Sequence, residues 1–428
     1  MLGNDIDKLI HQRAEEIFEK TIAWRRDLHQ HPELGNQEFR TSKIVADHLK
    51  NIGVDEIYTG IGESTSVLGF IHGEQPGPCV ALRADMDALA LKEETGLPFA
   101  STDTQEYGDS GVVPVAHACG HDCHTAMLMS AAEILVGLKS ELKGTVVLVF
   151  QAAEEGCASN WTKLTGMNAV VNDPVFKEKV KPNLDASLAV HITPMGEVGK
   201  AGSLSFKAGP TSYGSLIFHA KIIGKGGHAK VPWTTIDPLV IGAQTINAMQ
   251  TIISRNVDVY NNSATLSIGL FKGADMYNVI PDEVEFAGAV RFTDPEQKEY
   301  LKKRVEDTLY HCAAAGGATS EIKWVWYPPL FNNPRLTDLM TTEFKSLFGN
   351  EMVDPTGSNI DYGVDDYSYL EQEAPGLMAT LCVAPDEEEP GAFRGKLHNA
   401  QMIVNERGLL NGVKTYVAFP FKYKKPID

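Results

Sequence analysis

The chain has 428 residues, with 38 basic and 56 acidic side chains and a formal net charge of −18. A mean field of that sign repels phosphate backbones and anionic lipid heads, so neither nucleic acid nor a membrane is an expected partner. With 43% hydrophobic and 22% charged residues the composition is that of a folded globular protein, and the length suits two or three domains.

The opening MLGNDIDKLIHQRAEEIFEK is charged throughout, and no run of about 18 apolar residues occurs, so no secretory or membrane-spanning segment is expected and the expected compartment is the cytoplasm. Six cysteines are too sparse for a disulfide framework and are expected as reduced thiols. Ile6, Leu9, Ile10, Ala14, Ile17 and Ile22 recur at helical spacing over 5–29, which predicts a first helix ended by His31-Pro32. A second amphipathic stretch covers 38–51, and the clearest early strand is CVALRAD, 79–85.

From Cys123 to Leu142 the sequence is Ala- and Leu-rich, with Met127, Ala131, Leu135 and Leu138 on one face. That pattern predicts a core-facing helix, capped by Asp122 and ended by Gly144. TVVLVF (145–150), SLAVHI (187–192) and LMATLCV (377–383) are unbroken apolar runs, the mark of parallel strands covered on both faces. Between 200 and 326 the order becomes β-α-β-β-α-β, a ferredoxin-like arrangement, bracketed by TPMGEVGKAG and YPPLFNNP. The expected architecture is therefore a discontinuous, mostly parallel α/β domain over 1–199 and 327–428, interrupted by an α+β domain over 200–326.

Open α/β sheets bind ligands beyond the carboxyl ends of their strands. Asp85 and Asp87 stand at the end of one strand, Glu154-Glu155 follow another, His191 ends a third, and Cys119 and His121 precede the long helix. Thiolate, imidazole and carboxylate together are the donor set of zinc and related metals. In an extended chain Cys119 and His121, two residues apart, face the same way, and Gly120 lets the backbone bend between them. Two adjacent carboxylates in a cleft cannot both stay ionised without a cation or a proton, so one of the Glu154-Glu155 pair can bind metal while its neighbour takes a proton from water.

The strings WRRDLHQHPELGNQEFRTS, ALRADMDAL, HACGHDCHTA, FQAAEEG, GKGGHAKVPW, NVIPDEVEFAGAVR and GVDDYSYLEQEAPG occur in that order along the chain. Together they resemble the metal-dependent amidohydrolase and carboxypeptidase family that includes aminoacylase, carboxypeptidase G, aminobenzoyl-glutamate hydrolase and auxin-conjugate hydrolases. The resemblance implies a metallopeptidase-like catalytic domain and a lid domain that also forms a dimer. It implies that Cys119 bridges two divalent ions, zinc or manganese with cobalt as a further candidate, and that His121, Glu155, His191 and His398 are the other ligands. Glu154 is then the general base, and His228 the lid histidine that stabilises the oxyanion. Asn278 and Arg291 hold the substrate's carbonyl and carboxylate, and Asp85 orients a ligand from behind.

This chain departs from the family pattern in places. Arg83 stands where distant members place a metal-binding His, Ala152 replaces a usual Pro, LHNAQM surrounds His398 in place of His-x-x-Phe-Asp, and Asp365 stands where relatives often carry Glu. The activity implied is hydrolysis of the amide bond of small N-acyl amino acids or related conjugates. The alternatives are a dipeptidase or exopeptidase with the same site, and a catalytically silent small-molecule-binding homologue.

Overall fold

The computed structural model describes residues 3–156, 165–195, 199–260, 262–274, 276–357, 364–385 and 396–424. These form two compact units, one running to Gly209 and resuming at Phe331, the other spanning Pro210–Leu330 together with Val364 and Asp365. In chain order, α1 (Gly3–Gln30), α2 (Phe39–Ile52), β1 (Glu56–Ile61), β2 (Ser66–His72) and β3 (Gln75–Asp85) come first. They are followed by α3 (His121–Gly137), β4 (Lys143–Gln151) and β5 (Leu184–Thr193). The second unit holds β6 (Gly214–Ile223), α4 (Pro238–Asn256), β7 (Ala264–Lys272), β8 (Glu283–Phe292), α5 (Lys298–Ala315) and β9 (Thr319–Tyr327). Finally α6 (Pro334–Phe348), β10 (Gly376–Cys382) and α7 (Leu409–Lys422) return to the first unit.

The large sheet has the order β1-β2-β4-β3-β5-β10, extended by the two-residue strands Leu204–Ser205 and Val353–Asp354. Its centre, β4-β3-β5-β10, is parallel, and antiparallel pairs join β1 to β2, β2 to β4 and β10 to Leu204–Ser205. The unbroken apolar runs fall on the parallel strands, as their burial on both faces requires: Val146 to Phe150 are 0% exposed. Because Leu204–Ser205 pairs in this sheet, residues up to Gly209 belong with the first unit and not, as the sequence reading drew it, with the segment from 200 onward.

Helix α3 carries no polar stripe because neighbours cover it all round. Met127, Leu128, Met129, Ala131, Ala132 and Leu135 are each 0% exposed, with α1 and α7 packed against it. Two details of this helix differ from expectation. It starts at His121 behind Gly120, so Asp122 lies inside the first turn and makes no cap; and it ends at Gly137, while Gly144 lies within β4.

The crossover through α3 sets β4 on one side of β3, and β5 then joins the other side. This reversal of direction opens a crevice at the carboxyl ends of the three strands. The second unit is an antiparallel sheet, β7-β8-β6-β9. Alternate residues of β6, namely Leu216, Phe218, Ala220 and Ile222, are buried together with Leu301, Val305 and Leu309 of α5. Among the described residues no helix is long and apolar enough to cross a membrane, and Cys79, Cys119, Cys123, Cys312 and Cys382 form no disulfide. Cys157 lies outside the described residues.

Candidate metal centre

The centre begins with a backbone turn. Gly120 has φ +91°, and a Cβ built there would stand 2.4 Å from Cγ1 of Ile192, so the close approach of this segment to β5 requires glycine. The turn buries Cys119 and His121 side by side. Sγ of Cys119 lies 3.6 Å from Nε2 of His191. Nδ1 of His191 lies 2.7 Å from the carbonyl oxygen of Ile192; a carbonyl only accepts, so the ring proton sits on Nδ1 and the Nε2 lone pair faces the thiol.

Two acids after β3 orient the imidazoles. Asp87 Oδ1 lies 3.2 Å from Nδ1 of His121, and its Oδ2 accepts the N–H of Glu155 at 2.9 Å, so one carboxylate ties two proposed ligands together. Asp85 Oδ1 lies 2.6 Å from Nδ1 of His124. Nε2 of His124 accepts the N–H of Ile192 at 2.9 Å, which fixes His124 as a neutral ring donating to Asp85. Asp85 therefore bonds to a histidine that itself braces β5, while its Oδ2 stands 3.7 Å from Nε2 of His121. Behind it Arg83, 2% exposed, pairs with Asp85 at 2.7 Å and donates to Gln151 at 2.8 Å.

Glu154 and Glu155 follow β4 on a turn whose amides are held by side chains. Ala153 has φ +52° and His398 φ +63°, left-handed conformations that cost a non-glycine residue about 1–2 kcal/mol. Ala152 donates its N–H to Ser66 Oγ at 2.9 Å, a bond a proline here could not make. The N–H of His398 donates to Ala118 O at 2.7 Å, and its Nε2 lies 2.9 Å from Oε1 of Glu155. Oε2 of Glu154 is 3.9 Å from Nε2 of His121.

The electrostatics of the cluster call for positive charge. Burial opposes ionisation of Asp85, yet Arg83, His121 and His124 outweigh it and hold its carboxyl well below the usual range. Burial likewise opposes the Cys119 thiolate, but His121 and His191 bring the thiol down to about 6. Contacts with Cys119 and Glu155 push His398 up to about 10. His121 and His398 thus hold protons where the surrounding anionic donors demand cations, while burial keeps His124 neutral.

Donor geometry says the same. Cys119, His121 and His191 form one group, and Cys119, Glu155 and His398 another, each with its ligand atoms within 4.8 Å of one another. Nε2 of His121 is buried and makes no hydrogen bond, an atom left for a ligand. These residues fit a pair of borderline divalent ions.

The remaining predicted residues lie in the second unit. His228 is exposed and pairs with Val279 in a short antiparallel bridge, its Nδ1 accepting the N–H of Lys230 at 3.1 Å. Asn278 accepts the N–H of Ala229 through its backbone carbonyl oxygen at 3.2 Å. Arg291 lies on β8, in register with Ser215 and Thr265. Asp365 has a buried neighbour, Asp366, which accepts from Gln151 at 2.6 Å and from Met167 N–H at 2.7 Å.

Sequence reasoning missed the support. It placed Asp87 among the donors at the strand ends without seeing that it holds His121 and Glu155, and passed over Arg25, which is buried and 2.9 Å from Asp122. A signal existed: Ile10, Ala14, Ile17, Thr21, Arg25 and Leu28 share the buried stripe of α1, so a cation stands where an apolar residue is due.

The family model for peptidase family M20/M25/M40 matches residues 81–422. The N-acetyl-L-cysteine deacetylase of Bacillus subtilis is 36% identical, over 88% of this chain and 84% of that one. Thermostable carboxypeptidase 1 of Saccharolobus solfataricus is 32% identical, over 98% and 99%. The crystal structure of the Bacillus subtilis YXEP protein, described as a dinuclear metal-binding peptidase of family M20, superposes with a TM-score of 0.72 at 28% identity, covering 96% of this chain and 100% of that one.

Proposed function

Because the chain belongs to peptidase family M20/M25/M40 and is a metal-dependent hydrolase, we propose that it cleaves the amide bond of N-acyl amino acids or related small conjugates. The observation that carries this reading is the pair of three-ligand groups sharing Cys119. Cys119 with His121 and His191 would hold one ion, and Cys119 with Glu155 and His398 the other, as the dinuclear relative supports. Zinc or manganese suits this donor set, with cobalt a third candidate. Bound divalent ions lower the pKa of a coordinated water and polarise a carbonyl.

The chain's own groups do the rest. Glu154 takes the water proton and returns it to the leaving amine. Asp87 and Asp85 hold the imidazoles and Glu155 in place. Arg291 pairs with the carboxylate of the amino-acid half, where a planar fork suits bidentate contact; Asn278 holds the carbonyl, and His228 stabilises the oxyanion. In this reading the second unit is a lid and a dimer surface. An edge strand, β7, with Leu270 and Phe271 each 42% exposed, and Tyr260 and Tyr277 each 96% exposed, support a homodimer. A cytoplasmic location fits cysteines that form no disulfide.

A relative named as a carboxypeptidase favours a second reading, an exopeptidase acting on free peptides with the same donors. The test is amine release from a panel of N-acyl amino acids and dipeptides, with chelated protein compared against protein re-supplied with zinc or manganese. Metal-restored cleavage of N-acyl amino acids supports the first reading; metal-restored cleavage of unblocked peptides alone supports the second. No cleavage of any member by metal-loaded protein rejects both.

A further inference from the structure

The segment HPELGNQEFR, 31–40, contributes no metal donor and no substrate contact to the reading above. Its glutamates nevertheless do unusual work. Glu38 stands at the N-cap of α2 and makes no cap bond there. The first-turn amides of α2 are taken instead by Glu33, whose two oxygens accept the N–H groups of Arg40 and Thr41 at 2.8 Å each. Relieved of that role, Glu38 turns inward and is 0% exposed. Its Oε1 accepts the N–H of Ala153 at 2.8 Å, and its Oε2 accepts the hydroxyl of Thr65.

Ala153 is the left-handed residue immediately before Glu154. Three amides of this turn are each held by a side chain from a different segment: Ala152 by Ser66, Ala153 by Glu38 and Glu155 by Asp87. Gly35, from the same segment as Glu38, packs against the same turn. A Cβ on it would stand 2.2 Å from the carbonyl oxygen of Gly156 and 3.0 Å from Cβ of Ala153. A strained conformation persists only where its surroundings over-determine it, and here three side chains and a close backbone approach do so. No cation pairs with Glu38 among the described residues, and burying a carboxyl without one is costly, so the bond to Ala153 answers to something other than stability. Burial and the nearby Asp87 push Glu38 up to about 8, so a neutral hydrogen-bonding group of the same shape can replace it.

We propose that Glu38 is a positioning residue: by gripping the Ala153 amide it fixes the left-handed turn that aims the Glu154 carboxylate, acting on the proton-transfer step without touching metal or substrate. The proposal rests on Glu154 being the general base.

The test compares Glu38→Ala, Glu38→Gln and Gly35→Ala with the parent full-length protein, each loaded with manganese and assayed on the best N-acyl amino acid of the panel. Bound metal, kcat, KM and amide hydrogen exchange of a peptide spanning 152–156 are read for each. Glu38→Ala is expected to keep its metal and its KM within about twofold, to lose kcat by roughly 10- to 100-fold, as misplacing a reactive group does, and to exchange faster over 152–156. Glu38→Gln should recover most of kcat and the slow exchange. Gly35→Ala, which crowds the same turn, should lower kcat with metal retained, and Glu38→Gln with its exchange over 152–156 decides the matter if Glu38→Ala does not fold. Unchanged kcat in the variants that fold, a loss carried by KM, or loss of metal in step with activity overturns the proposal. Glu154→Gln is assayed alongside. If it is inactive while Glu38→Ala is fully active, only the positioning role fails; if it is itself fully active, the base assignment fails and the proposal with it.

Discussion

Oδ2 of Asp122 lies 2.9 Å from Nε of Arg25, with the two side chains 0% and 2% exposed. The same oxygen meets Nδ1 of His29 at 2.8 Å, and Arg25 reaches Glu406 at 3.2 Å. One buried ion pair therefore ties α1 to the first turn of α3 and to the residues before α7. His121 is the residue next to Asp122, so the pair also sets where that proposed donor sits.

Removing the cation from this pair should be severe. Arg25→Met leaves Asp122 buried and charged beside a histidine, and breaking such a pair costs about 3–5 kcal/mol. Urea unfolding should show a loss of that order for Arg25→Met and a smaller one for Arg25→Lys, which keeps charge but not the fork. A loss below about 1 kcal/mol in Arg25→Met would reject the structural role, since that is the range of ordinary surface substitutions.

Gly120→Ala should damage both fold and centre. The left-handed backbone costs an alanine about 1–2 kcal/mol, and contact with the Ile192 side chain adds roughly 1–3 kcal/mol of overpacking. Because the turn carries Cys119 and His121, thermal unfolding should move down and metal content should fall together. Full metal content at parental Tm would show that the turn relaxes without moving its donors.

Glu154→Gln should retain metal and lose turnover by at least about 100-fold, the lower end of what a positioned base supplies. Metal content and kcat measured on one preparation check it. Substantial retained turnover rejects Glu154 as the base.

Much of this was legible in the sequence, for a reason particular to each part. The parallel strands announced themselves because burial on both faces leaves room for few polar residues, one threonine each, in TVVLVF and LMATLCV. That Cys119, His121, Glu155 and His191 gather in one place was legible because all stand at strand ends or before the long helix, where an open α/β sheet brings side chains together. Asp87 was not, since two acids flank Met86 and nothing local says which one holds His121; the partner lies on another element. The start of α3 was misplaced because Asp122 looks like a cap, whereas its carboxylate serves Arg25, from a helix about a hundred residues earlier. Residue type carries the chemistry of a donor, but only the fold decides which of two neighbours faces it.

His48 gives the stability a pH slope. Burial pushes its imidazole below the usual histidine value, with the Met129 carbonyl and Glu133 pulling the other way and Lys20 adding to the depression. Its Nε2 donates to Met129 O at 3.1 Å and its ring meets Trp24 edge-on at 4.5 Å between centroids. A histidine depressed in the fold binds more protons when unfolded, so its contribution is present above the unfolded value near 6.5 and is lost as pH falls below it. Tm measured from pH 7.5 down to about 5 should fall more steeply in the parent than in His48→Gln, which keeps a donor and cannot titrate. Identical slopes would remove His48 from the account.

Sharing one thiolate between two donor groups predicts an asymmetric response to mutation. If Cys119 belongs to both groups, Cys119→Ala strips each ion of a ligand at once, whereas His398→Ala touches only the group with Glu155. His398 is also the most exposed donor, its side chain 53% accessible, so its loss leaves the buried group intact. Metal content after equilibration with manganese should be near two ions per chain in the parent, near one in His398→Ala and near none in Cys119→Ala. Chelation of the parent should lower its Tm, because ions that bind only the folded form stabilise it by mass action, and Cys119→Ala should show no further drop. One tightly held ion in Cys119→Ala would mean that the two groups do not depend on a common sulfur, and the bridging assignment would fall while the other ligands stood.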